Sequence, residues 1–226
     1  MIALKNLENP ARDVRFLLDR GYPSTSAIRF VSNHYKLSLS DRHLITRAVL
    51  PSIIAQKRRD KLITCDEMKG LALLIDGYNV LITMESVLDQ EIVLCDDGFI
   101  RDIKGVFGKY KKTDATDVAL TEILTLLSEI SPSLVLFLFD SKVSKSGELA
   151  RYVKGKLTQF GLEGDTETLS SVDHKMKTCN AIVATSDGHI IDSVDAVIDI
   201  PQCVMKIRGI FPLQIKYFEN KHDVKC

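Results

Sequence analysis

The sequence predicts an α/β fold over residues 61–226, preceded by a small all-helical domain over residues 1–60. Three observations predict it. Continuous apolar runs of strand length occur at 71–75, 134–139 and 181–184. Segments with helical spacing separate them, and the first 60 residues show helical spacing alone. Continuous apolar strands alternating with helices are typical of a mostly parallel sheet that helices cover on both faces.

The helical domain is predicted to contain three short helices. The first covers 13–20 and ends before Gly21-Tyr22-Pro23, which breaks the pattern. Ser24 is a plausible cap for the second helix, and a residue near Ser40 caps the third. Pro51 lies near the end of the third helix or at a join between two helices. Three helices bury too little surface to be stable alone, so we expect them to pack on the rest of the chain.

The α/β domain is predicted to contain further elements between its three apolar strands. Helices are expected over 116–130, 146–160 and from about 171 to 179, and short strands over 92–95 and 196–200. The sequence leaves open whether the tail from 203 to 226 adds an edge strand or a hairpin.

Composition and charge exclude some classes of protein. Hydrophobic residues make up 45% and charged residues 27%, as in ordinary globular proteins. No apolar run approaches the roughly 20 residues of a membrane helix. The N-terminus has no charged-then-apolar signal pattern, so no membrane association and a cytoplasmic location are expected.

The zero net charge hides an asymmetry between the two predicted domains. Residues 1–60 hold eleven Lys or Arg and five Asp or Glu, and the remainder holds nineteen and twenty-five. A basic domain beside an acidic one weakly indicates a nucleic-acid-binding surface next to a metal site. Chance segregation, with ion pairs between the halves, is an equally good explanation.

The cysteines indicate neither disulfides nor zinc. There are five, an odd number, and no two are separated by only two residues. This pattern argues against a disulfide framework and against a zinc knuckle, so reduced thiols are expected.

Aspartates at the ends of predicted strands carry the functional hypothesis. Asp76, Asp140 and Asp187 each follow one of the three apolar strands. Because ligands of an open parallel sheet gather at the carboxyl ends of its strands, we expect the three side chains to converge. Clustered carboxylates repel one another, and a hard divalent cation relieves that repulsion. Such a cation activates water and polarises a phosphodiester.

Four motifs in this region resemble those of NYN-type PIN-like ribonucleases. The run LIDGYNVL at 74–81 resembles the opening strand of that family, and VLFLFD at 135–140 resembles its second central strand. ETLSSVD at 167–173 is similar to the family's Glu-Thr-Ala-Asp element, and VATSD at 183–187 to its Thr-Ser-Asp strand end. The order and rough spacing agree across about residues 70–200.

The resemblance implies a PIN-like sheet and a carboxylate-bound Mg²⁺ or Mn²⁺. It implies that Asp76, Asp173 and Asp187 are metal ligands, with Asp140 near the site as a fourth. Asn79 and Ser186 lie beside these ligands as candidate substrate-binding residues. The whole arrangement also resembles an uncharacterised prokaryotic family that pairs a small helical domain with a PIN-like domain, for which no substrate is implied.

The sequence departs from the family pattern in the stretch 91–112, which is longer than expected between the first strand and its helix. The acidic residue usually found on that helix is either Asp117 or Glu122. Asp192 is a further candidate for the site. The cluster around Asp97 and Arg101 is either a turn with a solvated face or a substrate loop, in which case Arg101 holds a phosphate bidentately.

The sequence therefore predicts a metal-dependent ribonuclease with RNA as its partner, and leaves a homodimer open. A second hypothesis is a non-catalytic RNA-binding or interaction module that kept the fold and lost part of the site. A haloacid-dehalogenase-type phosphatase is a poor match because Tyr78 stands where that family needs Asp. A dinucleotide-binding domain needs a glycine-rich turn that 76–79 does not supply.

Overall fold

The structure is a computed structural model, and it describes residues 2–103, 110–179 and 181–216. Its helices are α1 (Glu8–Asp19), α2 (Ser24–His34), α3 (Leu39–Ala48), α4 (Ser52–Arg59), α5 (Gly77–Leu88), α6 (Asp114–Ile130), α7 (Ser146–Gln159), α8 (Val172–Thr178), α9 (Gly188–Ile191) and α10 (Ile200–Ile207). Its strands are β1 (Ile2–Ala3), β2 (Ala72–Asp76), β3 (Ile92–Leu94), β4 (Ile100–Asp102), β5 (Leu134–Asp140), β6 (Gly164–Leu169), β7 (Ile182–Ala184), β8 (Val197–Ile198) and β9 (Leu213–Gln214).

The main sheet has five strands in the order β6-β5-β2-β7-β8, and all its pairings are parallel. The predicted parallel α/β sheet flanked by helices is thereby confirmed. Along the chain, β2 is followed by β5 and β6, which lie on one side of it in the sheet. The next two strands, β7 and β8, lie on its other side. The strand order therefore reverses at β2, which places a crevice outside its carboxyl end.

Two apolar layers cover the two faces of this sheet. Alternate strand residues such as Ile75 and Phe137 pack against α5, α6, α7 and α10. The residues between them, such as Leu74 and Leu138, pack against α8 and α9. Side chains alternate between the faces of a strand, so both faces are apolar only because helices cover both.

The N-terminal helical region has four helices where the sequence predicted three. Pro51 caps α4, so it marks a join between α3 and α4. The apolar faces of α1, α2 and α3 form a core with Val93, Cys95 and Ile215. This core covers a second sheet of order β1-β9-β3-β4, in which β3 and β4 are antiparallel. The helices thus bury the small sheet.

The prediction that the cysteines are reduced thiols is wrong for one pair. Cys65 and Cys203 form a disulfide across a sequence separation of 138 residues. Cys95 and Cys179 are free thiols, and Cys226 lies outside the described residues. Residues that far apart in sequence give no spacing signal, and only the fold brings α10 beside residue 65.

Some predicted elements differ from the structure. The helix after β2 is α5, which begins directly after Asp76, so the stretch 91–112 is not an insertion before that helix. Residues 92–102 instead form the hairpin of β3 and β4. The tail predicted as an edge strand or hairpin holds most of α10 and the short strand β9. Across the described ranges, no helix combines the length and the apolar character needed to span a bilayer.

Candidate active site at the carboxyl edge of the main sheet

The candidate site lies where β2, β5 and β7 end, which we call the carboxylate edge. Asp76 is the last residue of β2 and pairs in register with Leu138 of β5. Asp140 ends β5 two residues further on, roughly 7 Å along the strand. Since side chains alternate, Asp76 and Asp140 face the same side of the sheet, the side that α8 and α9 cover.

Asp76 has two roles in the local structure. It caps the N-terminus of α5, because its Oδ1 accepts a hydrogen bond from the backbone N–H of Asn79 at 3.3 Å. Its Oδ2 accepts from the hydroxyl of Thr185 at 3.2 Å. Gly77 follows because a Cβ there would overlap the buried ring of Phe139.

Burial raises the pKa of Asp76 to about 7, against the pull of the hydrogen bonds from Asn79 and Thr185. The charges of Asp187 and Asp173 make the smaller contributions to that rise. Each of these two carboxylates is therefore near enough to repel Asp76. Such repulsion favours a cation or a proton among them.

Asn79 holds the loop that carries Asp187. Its Oδ1 accepts hydrogen bonds from the backbone N–H of Ser186 at 2.8 Å and from its hydroxyl at 3.1 Å. The backbone N–H of Asp187 donates to the Thr185 hydroxyl at 3.1 Å. Asp187 then caps α9 through its own Oδ1, which accepts from His189. Asn79 and Ser186, predicted to bind substrate, thus meet at the site and bind each other.

Asp173 and Asp140 differ in their surroundings. Asp173 is exposed in the first turn of α8. Asp140 accepts from the backbone N–H of Lys142, and its charge adds to burial in raising the pKa of Tyr78 to about 12.

Among residues 2–103, 110–179 and 181–216, no three His, Cys, Asp or Glu side chains are grouped closely enough to hold a metal ion. The carboxylates thus share one edge of the sheet without being grouped around an ion position.

Arg101 does not lie free at the site. Its guanidinium donates two hydrogen bonds to Asp97, at 2.8 and 2.7 Å, and its Nε donates to the Ser186 carbonyl at 3.0 Å. The structure has the predicted turn at 96–97, but Asp97 is fully buried, so its predicted solvated face is wrong. Burial alone raises the pKa of Asp97, but Arg101 and Arg58 hold it below its ordinary value. Arg101 therefore holds the Ser186 backbone in place. The two terminal nitrogens of its guanidinium are already bound to the Asp97 carboxylate.

Asp192 is also held by an arginine. Arg58 of α4 binds it bidentately at 2.7 and 2.8 Å and reaches Asp97 at 3.1 Å. The same guanidinium fills the space where a side chain at Gly188 would lie. The basic N-terminal region thus reaches the loop of Asp187 through one arginine.

Asp117 and Glu122 lie on α6 and are paired with cations there. Asp117 lies 2.8 Å from Lys112, and Glu122 pairs with Arg208. The helix that follows β2 carries Glu85 instead, which the sequence interpretation missed. Glu85 accepts hydrogen bonds from the hydroxyls of Tyr110 at 2.6 Å and Thr116 at 2.8 Å.

A further strand-end aspartate escaped prediction because the predicted strand extended through 200, whereas β8 ends at Ile198. Asp199 is buried after β8 and caps α10, and it accepts from the backbone N–H of Ile100 at 2.8 Å. Burial raises its pKa to about 6. The expected apolar strand through 200 concealed this cap. Through these contacts Asp199 connects the end of β8 to the hairpin of β3 and β4.

The fold and the edge define a parallel α/β protein with acidic side chains at its topological switch point. Residues 65–203, more than half of the chain, match DUF5616, a domain of unknown function, and residues 6–61 match DUF434, a protein of unknown function. The chain belongs to the DUF5616 family. An uncharacterized protein of Methanocaldococcus jannaschii is 38% identical over 198 residues, covering 86% of this chain and 94% of that protein. No solved structure matches the chain.

Proposed function

We propose that this protein is a PIN-like ribonuclease that depends on a divalent cation, Mg²⁺ or Mn²⁺. The observation that supports it best is the set of hydrogen bonds through Thr185 and Asn79 that holds Asp76 beside the Asp187 loop at the crevice of β2, with Asp173 near enough for its charge to act on Asp76. Within the described part of the chain, none of these three carboxylates is ion-paired with Lys or Arg. Acidic groups whose charge is not neutralised by the protein are suited to a hard cation.

The chemistry of the donor set suits such a cation, since its atoms are carboxylate oxygens, and binding requires these side chains to close on the ion, because no three described side chains are yet grouped around one. Asp76, Asp173 and Asp187 are the residues that would hold it, and Asp140 lies on the same side of the sheet. A bound Mg²⁺ or Mn²⁺ lowers the pKa of water and draws charge from a phosphodiester. Asn79 and Thr185 keep Asp76 and the Asp187 loop together, which fixes two of the ligands relative to each other. No protein nucleophile is required.

A second candidate is a non-catalytic RNA-binding or interaction module with the same fold. The open arrangement of the carboxylates favours it, as no three acidic, His or Cys side chains of the described residues already surround an ion position. Asp117, Glu122 and Asp192, which would complete the set, are paired with Lys112, Arg208 and Arg58.

Cleavage of labelled RNA separates the two candidates. Single-stranded and structured RNA are incubated with MgCl₂ or MnCl₂ over a range of concentrations, or with EDTA. Asp165→Asn is the matched control, because Asp165 lies near the start of β6, at the opposite edge of the sheet. We expect cation-dependent cleavage that Asp76→Asn slows on the order of 100-fold and Asp165→Asn leaves unchanged. RNA binding without cleavage under any cation supports the module and ends the nuclease proposal.

A further inference from the structure

A cleft of about 740 Å³ opens beside the carboxylate edge. We call it the tyrosine cleft, and its lining consists of aromatic, basic and small apolar residues: Tyr78, Tyr110, Lys111, Lys112, Val143, Ser144, Lys145, Glu148, Leu149 and Tyr152. Tyr78 lies two residues after Asp76, and Val143 three residues after Asp140. The cleft therefore opens at the same end of the sheet as the carboxylates, on the face that α5, α6 and α7 cover, and Tyr78 is near enough to feel the charge of Asp140. The volume is that of a small-ligand site.

The aromatic part of the cleft is rigid. The ring of Tyr78 makes edge contacts with Tyr110 at 5.4 Å and with Phe139 at 5.3 Å. The Tyr110 hydroxyl is itself fixed between Glu85 and Thr116. Tyr78 is only partly buried, so it presents an immobilised aromatic surface to solvent. A fixed ring stacks on a nucleobase with little loss of conformational entropy.

The rim of the cleft is basic. Lys111, Lys112 and Lys145 are exposed there, and Glu148 alone is acidic among the described lining residues; Lys112 also pairs with Asp117 at 2.8 Å, and Lys145 lies 3.9 Å from Glu148. The Nζ of Lys112 lies 4.1 Å from the ring centroid of Tyr152. Cations beside an aromatic floor suit a ligand with both a negative charge and a flat ring.

We propose that the tyrosine cleft binds an unpaired nucleotide of an RNA strand, with the base against Tyr78 and the flanking phosphates at Lys111, Lys112 and Lys145. This inference rests on the proposed function, since it places the rest of the substrate strand beside the carboxylates. It adds that the strand must be unpaired next to the reaction centre, because the faces of a base inside a duplex are covered by the neighbouring base pairs.

Binding is measured without catalysis, by fluorescence anisotropy of a fluorescein-labelled 12-nucleotide RNA in EDTA. One variant carries Lys111→Gln, Lys112→Gln and Lys145→Gln. Its matched control carries the same change at exposed lysines outside the cleft, Lys5, Lys36 and Lys69. Tyr78→Leu and Tyr78→Phe test stacking, and thermal melting of both reports whether they are folded.

We expect the cleft lysine variant to weaken binding and to reduce the slope of log Kd against log salt by about 2, since each phosphate contact to a single strand contributes about 0.7. The control variant keeps the wild-type slope. Tyr78→Leu weakens binding by about tenfold and Tyr78→Phe does not, because the ring alone carries stacking. A duplex of the same sequence binds at least about tenfold more weakly than the single strand.

Three results overturn the proposal: equal binding of duplex and single strand, an unchanged salt slope in the cleft lysine variant, or competition by polyglutamate as effective as by unlabelled RNA. Failure of the proposed function looks different. If the protein binds RNA through the cleft but never cleaves it, the cleft proposal stands and the nuclease proposal fails. If the protein cleaves RNA and the cleft lysine variant has an unchanged KM, the nuclease proposal stands and the cleft proposal fails.

Discussion

Asp76 gives the structure a predictable dependence of stability on pH. The pKa of its carboxyl is about 7 in the folded chain, against an ordinary value of 3.8. Between these values the folded state binds the proton and the unfolded state does not, so the free energy of unfolding falls as pH rises from about 4 to about 7. Above that range both states are ionised and the loss is complete.

The size of the loss follows from the difference between the two pKa values. Each tenfold difference in proton affinity is worth about 1.4 kcal/mol, so Asp76 costs at most about 4 kcal/mol at pH 8. Asp76→Asn removes the charge, and its amide oxygen still accepts from the Asn79 backbone as a helix cap. We therefore expect the variant to be more stable than the wild type at pH 8, by up to about 4 kcal/mol, and equally stable near pH 4.

Urea unfolding followed by circular dichroism at pH 4, 5, 6, 7 and 8 in EDTA measures this directly. The difference between wild type and variant isolates Asp76 from Asp199, whose pKa is also raised. Parallel curves for the two proteins across this range would show that Asp76 is ionised in the folded state at low pH. That result would refute the description of Asp76 as a buried carboxyl among like charges.

Three further predictions concern the frame around the site. Gly77→Ala destabilises the fold by about 1–3 kcal/mol in urea unfolding, because its Cβ meets the buried Phe139 ring; a change below about 0.5 kcal/mol would contradict that contact. Asp97→Asn costs about 3–5 kcal/mol because it leaves two arginines without their shared carboxylate, and a neutral result would contradict the buried ion pairs. Reducing the Cys65–Cys203 disulfide lowers the free energy of unfolding by about 2–5 kcal/mol, while a Cys65→Ser and Cys203→Ser variant does not respond to reductant.

The central strands could be predicted because a strand that is buried on both faces is a continuous apolar run in the sequence. The runs before Asp76, Asp140 and Thr185 are apolar because helices cover both faces of β2, β5 and β7. β6 escaped prediction because it is an edge strand with polar residues, such as Asp165 and Glu167. Its sequence resembles a loop, since in the described part of the chain β5 is its only strand neighbour.

The remaining misses concern partners that lie far apart in sequence. Arg58 and Arg101 look like surface cations until the fold places the buried Asp97 between them. Cys65 and Cys203 are likewise joined only by the packing of α10. The strand-end rule could find Asp76, Asp140 and Asp187 because they follow recognisable strands. It could not find Asp199, because the strand predicted over 196–200 extended past the true end of β8 and placed Asp199 inside it.

The central claim is that Asp76 and its neighbouring carboxylates bind a divalent cation, and Mn²⁺ binding tests it most directly. Metal-free wild type, Asp76→Asn and Asp165→Asn are titrated with Mn²⁺ at pH 8 while the electron paramagnetic resonance signal of free Mn²⁺ is recorded. We predict saturable binding by wild type and by Asp165→Asn, and affinity at least about tenfold lower in Asp76→Asn. Equal affinity in all three proteins, or no binding by wild type, would contradict the claim.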